Sequence, residues 1–310
     1  MFLVTGGAGF IGSNLVKYLL SCGYKVRVLD NLSSGKLENL DGYLDRVELV
    51  QGDINDPGVA GAFNNISCVF HQAAIASVAR SIDHPVESEQ NNVIGTLNVL
   101  NHARSAGVKR VVLAGTAAIY GNTDRLPLKE DFPANPLSPY AVTKLACENY
   151  ARFYAATHGL ETVVLRYFNV FGPFQDPASD YSGVISKFLE RMANRLPPLI
   201  FGDGLQTRDF IYIDNIVKAN LLAAQSPRVG RGEAINIACG QSISIIELVE
   251  AINGVLGTGY KPLYSEERKG DIRRSRADIS RARELLGFEP ETDFNEGLRR
   301  LWEWWRREQT

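Results

Sequence analysis

Three glycines narrow the folds open to this chain. Gly6, Gly9 and Gly12 stand in TGGAGFIG, at the spacing GxxGxxG. The apolar run FLVT, Phe2 to Thr5, comes directly before them, and a helical pattern from about Phe10 to Ser21 comes directly after. A strand that turns on glycines into a helix lets backbone approach a pyrophosphate closely. The helix N-terminus then offers unpaired N–H groups and a favourable dipole. Glycines also mark plain turns, so the context has to decide. Asp30 closes the next predicted strand, KVRVLD, where a carboxylate accepts from adenosine ribose hydroxyls. Asn31 follows it and no arginine stands beside it. A carboxylate there repels a 2′-phosphate, which points to NAD rather than NADP. Asp53, after the third run RVELVQGD, is placed for the adenine amino group or for a simple turn.

The rhythm continues through SCVFHQAA and RVVLAGT, separated by a helix-like stretch from Glu87 to Ala106, and then through TVVLRYFNV. Strands divided by helix-sized crossovers predict an α/β fold: a doubly wound parallel sheet with helices on both faces. After Phe171 the rhythm fades into loops, helices and short strands (LIFGDG, DFIYI, EAINIA). Residues 1–171 thus read mainly as a nucleotide-binding domain. Residues 172–310 read mainly as a smaller mixed α/β substrate-binding region, with some chain crossing back. In the tail EGLRRLWEWWRREQT, Leu298, Leu301, Trp302 and Trp305 share one helical stripe. A docked C-terminal helix explains that stripe better than a membrane-surface helix does.

The charge balance removes several functions. A net charge of -2 over 310 residues gives no basic excess for nucleic acid or acidic lipid. Cys22, Cys68, Cys147 and Cys239 are far apart, with no CxxC pair, so neither a metal nor a disulfide framework is expected. His71, His84, His102 and His158 form no catalytic pattern. No run is long enough to span a bilayer. The opening MFLVTGGAGF has none of the three regions of a signal peptide, so a cytoplasmic protein is expected.

SPYAVTK sets Tyr140 four residues before Lys144, one helical turn apart on the same face. A cation near a phenol stabilises phenolate and makes it a general base. The same spacing also occurs in solvated surface pairs.

Set in order along nearly the whole chain, TGGAGFIGSN, DNLSSG, GDI, HQAA, NNVIGT, SPYAVTK, RYFNVFGP, GDGLQTRDFIYIDN and RKGDIRRSRADIS resemble the extended short-chain dehydrogenase/reductase family, specifically its nucleotide-sugar 4-epimerases. The resemblance implies a Rossmann-type sheet, bound NAD and a UDP-sugar substrate. Tyr140, Lys144 and Thr116 would be catalytic. Tyr140 would take the proton of the sugar 4-hydroxyl, helped by Lys144, while Thr116 hydrogen-bonds the reacting oxygen. Hydride would pass to NAD and return to the other face of a 4-keto sugar. The cofactor would lie along Gly6, Gly9, Phe10, Ile11, Gly12, Asp30, Asn31, Ser33, Gly35, Asp53 and Ile54. It would continue past Gln72, Ala73, Ala74, Asn92, Tyr167 and Phe168 to Tyr140 and Lys144.

For the substrate, the resemblance assigns Asn169, Arg208 and Arg268 to the diphosphate and Asp271 to the uridine ribose. Ser77, Gly183, Val184 and Ser275 would border the sugar, with Thr116 and Tyr140. Ser275 stands where a bulky tyrosine accompanies restriction to plain hexoses, so tolerance of N-acetyl sugars is implied alongside UDP-glucose. The turn LAGTAAIYG keeps a hydroxyl at Thr116, while Gly115 removes its neighbour. Ala117 and Ala118 replace the acidic pair by which 4,6-dehydratases eliminate water. A homodimer through the helices of Val86 to Ala106 and Tyr140 to His158 is implied as well. A 4-epimerase for a glucuronate or pentose UDP-sugar, and an NAD-binding sensor or scaffold, stay open as alternatives.

Overall fold

The computed structural model of the chain describes residues 1–176, 183–267 and 272–308. Strands β1 (Phe2–Thr5), β2 (Val26–Asp30), β3 (Val47–Gln51), β4 (Cys68–His71), β5 (Arg110–Thr116) and β6 (Glu161–Tyr167) form a parallel sheet with β11 (Arg231–Ile237). Their order is β11-β6-β5-β4-β1-β2-β3. The order reverses between β1 and β4, and in such sheets ligands bind at the carboxyl ends beside that reversal. Helix α1 (Phe10–Ser21) covers one face, burying Leu15, Val16, Leu19 and Leu20. The other face carries α4 (Gly95–Ser105) and α5 (Pro139–His158), with α2 (Val78–Asp83) and α3 (Pro85–Glu89) packed on α5.

Two details differ from the sequence reading. TVVLRYFNV is two strands, because the chain leaves the large sheet at Phe168. Its second part, β7 (Asn169–Phe171), pairs with β10 (Phe210–Tyr212) in a small parallel sheet. The helix expected over Glu87 to Ala106 contains a π-helical turn, Gln90–Ile94, between α3 and α4. Such turns expose groups that a regular helix would bury in its own ladder. Here Asn92 accepts from the Ile75 N–H at 2.8 Å and donates to the Ile75 carbonyl at 3.0 Å, bracing the loop after β4.

The remaining elements are α6 (Val184–Ala193), β8 (Leu199–Phe201), β9 (Thr207–Arg208), α7 (Ile213–Gln225), β12 (Ile243–Ser244), α8 (Ile245–Leu256), β13 (Leu263–Ser265), α9 (Ser280–Leu286) and α10 (Phe294–Glu308). After the small sheets, α7 returns to pack on α1, and β11 takes the edge of the large sheet beside β6. The tail is a docked helix: Leu298 and Leu301 are buried, and Phe294 stacks on Phe210 with centroids 5.7 Å apart. No helix among the described residues is long and apolar enough to cross a membrane.

Candidate active site

The glycine turn is shaped by close approach. Gly6 adopts φ +66°, and a Cβ there would lie 2.7 Å from the Ala73 nitrogen. A Cβ on Gly12 would lie 2.0 Å from the Gly6 carbonyl oxygen. Only bare backbone fits at either position. Gly9 caps α1 without a side-chain hydrogen bond, and no acidic residue occupies the first turn. The end of the helix at Phe10, Ile11 and Gly12 is therefore suited to an anion.

At the end of β2 the buried Asp30 carboxylate accepts from the Ala8 N–H at 2.9 Å and the Leu32 N–H at 2.8 Å. Gly35 passes so close that a Cβ on it would sit 3.0 Å from Asp30 Oδ1. Asn31 donates to Asp53 at 2.7 Å and accepts from the Ser33 hydroxyl at 2.7 Å, joining three expected cofactor residues in one cluster. Ile54 is buried beneath α4, with its Cδ1 2.5 Å from where a Gly95 Cβ would be. This cradle fits a dinucleotide: backbone donors at the turn and carboxylates at the far end.

Two expected cofactor residues also hydrogen-bond other parts of the protein. Gln72 Nε2 donates to Tyr167 Oη and to Asn220 Oδ1, each at 3.2 Å, and Asn220 Nδ2 donates to the same phenol at 2.8 Å. Asn220, on α7, carries no motif that marks it in the sequence. The Asn92 amide is spent on Ile75 and on Thr143, to which it donates at 3.0 Å. Both side chains brace the cradle through the elements behind it.

The tyrosine, lysine and threonine converge. Ser138 caps α5 by accepting from the Ala141 N–H at 3.2 Å, and Pro139 opens the helix. Tyr140 therefore sits in the first turn, where the Thr116 hydroxyl at the end of β5 acts on its phenol. Thr116 Oγ1 also accepts from the Ala118 N–H at 3.2 Å, which shapes the following turn. Gly115 is dictated by packing, since a Cβ there would press within 2.8 Å of Val164.

Burial pushes the Tyr140 phenol up to about 12, with the Thr116 hydroxyl acting in the opposite direction. Lys144 stands one helical turn further along α5. Its Nζ donates to the Ala114 carbonyl at 3.1 Å, and burial lowers the pKa of the ammonium. Behind the lysine, His71 is buried between Thr5 Oγ1 at 2.7 Å and Thr96 Oγ1 at 2.9 Å. Burial, with Lys144 nearby, holds its imidazole down to about 3.

Two cavities open beside these residues and share Asn169 and Arg208. The first, about 140 Å³, is lined by Thr116, Ala117, Ala118, Tyr167, Phe168 and Ser275, among others. The second, about 180 Å³, has apolar walls from Val184, Phe188, Leu199, Ile200, Phe201 and Ile245, with Gln206. Arg208 is aimed by its bonds to the Thr207 and Ile272 carbonyls. An elongated ligand lying through both cavities would present its middle to a guanidinium and an amide.

The other expected contacts divide. Ser275 is buried in the wall of the first cavity. Val184 lines the second cavity, and Gly183 lines neither, forming the N-cap of α6. Ser77 Oγ accepts from the Arg80 N–H at 2.9 Å as the cap of α2, and like Tyr140 and Lys144 it lines neither cavity. Arg268 and Asp271 lie outside the described residues. Among the described residues, no cluster of His, Cys, Asp and Glu could hold a metal.

Comparison with known proteins gives a consistent match. Residues 2–238 match the model of the NAD dependent epimerase/dehydratase family. The UDP-glucose 4-epimerase of Mycolicibacterium smegmatis is 41% identical over 309 residues, covering 98% of each chain. The solved UDP-N-acetylglucosamine 4-epimerase from Methanobrevibacter ruminantium, in complex with UDP-N-acetylmuramic acid, is 41% identical at a TM-score of 0.95, covering 99% of this chain and 98% of that one. The UDP-glucose 4-epimerase of Thermus thermophilus, solved with NAD, is 37% identical at a TM-score of 0.90, covering 98% of each.

Proposed function

This chain belongs to the NAD dependent epimerase/dehydratase family, and from that premise we propose how its own residues carry out the reaction. It is an NAD-dependent 4-epimerase of UDP-hexoses. A sugar C4–H bond is not acidic, so inversion at that carbon needs a transient 4-keto sugar. Bound NAD supplies the hydride acceptor and donor for that oxidation and its reversal.

The chain's residues handle the proton and the pose. Tyr140 Oη takes the proton of the sugar 4-hydroxyl and later returns it. Thr116 Oγ1, which lowers the pKa of that phenol, orients the reacting oxygen and stabilises the phenolate that forms. Lys144 Nζ holds ribose hydroxyls from the floor of the site, beside the Ala114 carbonyl. Asn169 and Arg208, at the junction of the cavities, hold the diphosphate, for which guanidinium geometry is suited. The sugar then occupies the first cavity and the uridine the second. The alanines at 117 and 118 supply no acid or base, so water is not eliminated from the 4-keto sugar.

Ser275 leaves room beside the sugar for an N-acetyl group, so UDP-GlcNAc is accepted with UDP-glucose. The observation that carries this assignment is the first cavity, walled by Thr116 at the end of β5 and by Ser275, and continuing to Asn169 and Arg208. The test is NMR of UDP-glucose and UDP-GlcNAc incubated with enzyme and NAD. Galactose-configured products should appear without net NADH, and Tyr140→Phe should slow them at least ~100-fold. Absence of product with both sugars would overturn the assignment.

We also assign a homodimer to the surface of α2, α3 and α5. Val78, Ile82, Val86, Val142 and Phe153 are exposed there, with Val86 at 81% and Ile82 at 59%. An apolar face of that kind, on helices, is suited to a second copy of itself. The division at residue 171 and a cytoplasmic location belong to the same proposal. Cys22, Cys68, Cys147 and Cys239 are free thiols, which suits a reducing compartment.

A further inference from the structure

One buried cation ties together the parts that carry the catalytic groups. Arg166 lies near the end of β6, in register between Gly115 of β5 and Asn236 of β11. Its Nε and Nη2 grip the Glu148 carboxylate at 3.0 and 2.8 Å, and both side chains are almost fully buried. Glu148 is one turn beyond Lys144 on α5. Arg166 Nη1 donates to Tyr120 Oη at 2.7 Å, and Tyr120 ends the turn that begins at Thr116. The Tyr120 hydroxyl donates onward to Asn236 Oδ1 at 2.7 Å, and Asn236 Nδ2 donates to the Leu128 carbonyl at 2.9 Å. Leu128 and Thr116 both line the first cavity.

We propose that Arg166 is a positioning residue for the epimerisation, setting the distance between the Thr116 turn and the Tyr140 helix through Tyr120 and Glu148. The proposal rests on the epimerase assignment above and concerns residues that do not touch substrate. Its physical basis is geometric. A bidentate guanidinium–carboxylate pair fixes separation and direction together, which an apolar contact does not. Thr116 begins one of the two elements that Arg166 joins, and Tyr140 lies on the other. Misplacement of reacting groups by about an ångström costs on the order of 100-fold in rate. The pair is neutral as a whole, so its role does not depend on its charge reaching the active site.

Arg166→Met alone would strand a buried carboxylate, and its loss of activity would be uninformative. The informative variant is Arg166→Met/Glu148→Leu, which removes both charges; such apolar replacement of a buried pair is often tolerated in stability. Tyr120→Phe, which deletes only the hydroxyl linking the turn to Arg166, serves as an independent second variant. Each is assayed for UDP-glucose turnover by NMR and for UDP binding by calorimetry, beside wild type. The expected result is a kcat lowered ~100-fold in the double variant and ~10-fold in Tyr120→Phe. UDP affinity, set at Arg208 and the second cavity, should stay within about 3-fold, and KM with it, since only the reacting geometry is disturbed. If the double variant does not fold, Tyr120→Phe decides alone. A folded variant with wild-type kcat, or a parallel loss of UDP affinity and kcat, would overturn the proposal. Wild-type turnover in the same experiment keeps this outcome separate from failure of the epimerase assignment.

Discussion

The backbone N–H of Tyr140 donates to Ser81 Oγ at 3.1 Å, and the Ser81 hydroxyl in turn donates to the Val78 carbonyl at 2.7 Å. Ser81 is fully buried, so this hydroxyl pins the first turn of α5 to α2 without competition from water. Ser81→Ala leaves the Tyr140 N–H unpaired, at a cost of about 1–3 kcal/mol. Thermal unfolding should shift down by several degrees and kcat should fall with it. An unchanged melting temperature would show that the contact contributes nothing.

His71 supplies a pH dependence of stability. Its folded pKa is depressed to about 3 from a usual 6.5, by burial first and by Lys144 second. The unfolded chain therefore binds a proton that the native state refuses. The stability linked to His71 is complete above pH 6.5 and is lost as pH falls toward 3. The slope for one proton is about 1.4 kcal/mol per pH unit. Urea unfolding of wild type and His71→Asn between pH 7 and 4.5 should give curves that converge as pH falls. Parallel curves would mean that the imidazole charges in the folded protein.

Ser275 is buried in the lining of the first cavity. Ser275→Tyr introduces a ring where a hydroxymethyl group now stands, and overpacking excludes a ligand group sharply. The variant should keep UDP-glucose turnover while losing UDP-GlcNAc turnover by ~10-fold or more, a steric cost of about 1–3 kcal/mol. Competition of the two sugars in one tube reads the ratio directly. An unchanged ratio would place the N-acetyl group elsewhere.

The proposed dimer face is testable without touching the site. Val86 and Phe153 are exposed, and glutamates there would set like charges against each other across a symmetric contact. Val86→Glu/Phe153→Glu should sediment as a monomer where wild type sediments as a dimer. A monomeric wild type would remove the proposal outright.

Much of this site is legible in the sequence because its logic is local. The GxxGxxG spacing after FLVT predicts the turn found between β1 and α1, since the φ at Gly6 and the crowding at Gly12 arise within a few residues. The span from Tyr140 to Lys144 is one helical turn, and the capped helix found there begins at Pro139. The alternation of strands and helices foretells a parallel sheet, because each crossover is long enough for a helix.

The tertiary structure decided what depends on distant neighbours. Where the Lys144 amine points is set by the Ala114 carbonyl, 30 residues away. The rise of the Tyr140 pKa comes from burial, which no spacing encodes. That Ser77 caps a helix and Gln72 bonds Tyr167 and Asn220 depends on segments the local sequence does not bring together. Arg166 looks in the sequence like one arginine among many. Only folding brings Glu148, Tyr120 and the Glu130 carbonyl within hydrogen-bond reach of one guanidinium. Backbone geometry and helix periodicity are short-range and survive in the sequence. Desolvation and the pairing of buried polar groups exist only once remote segments exclude water together.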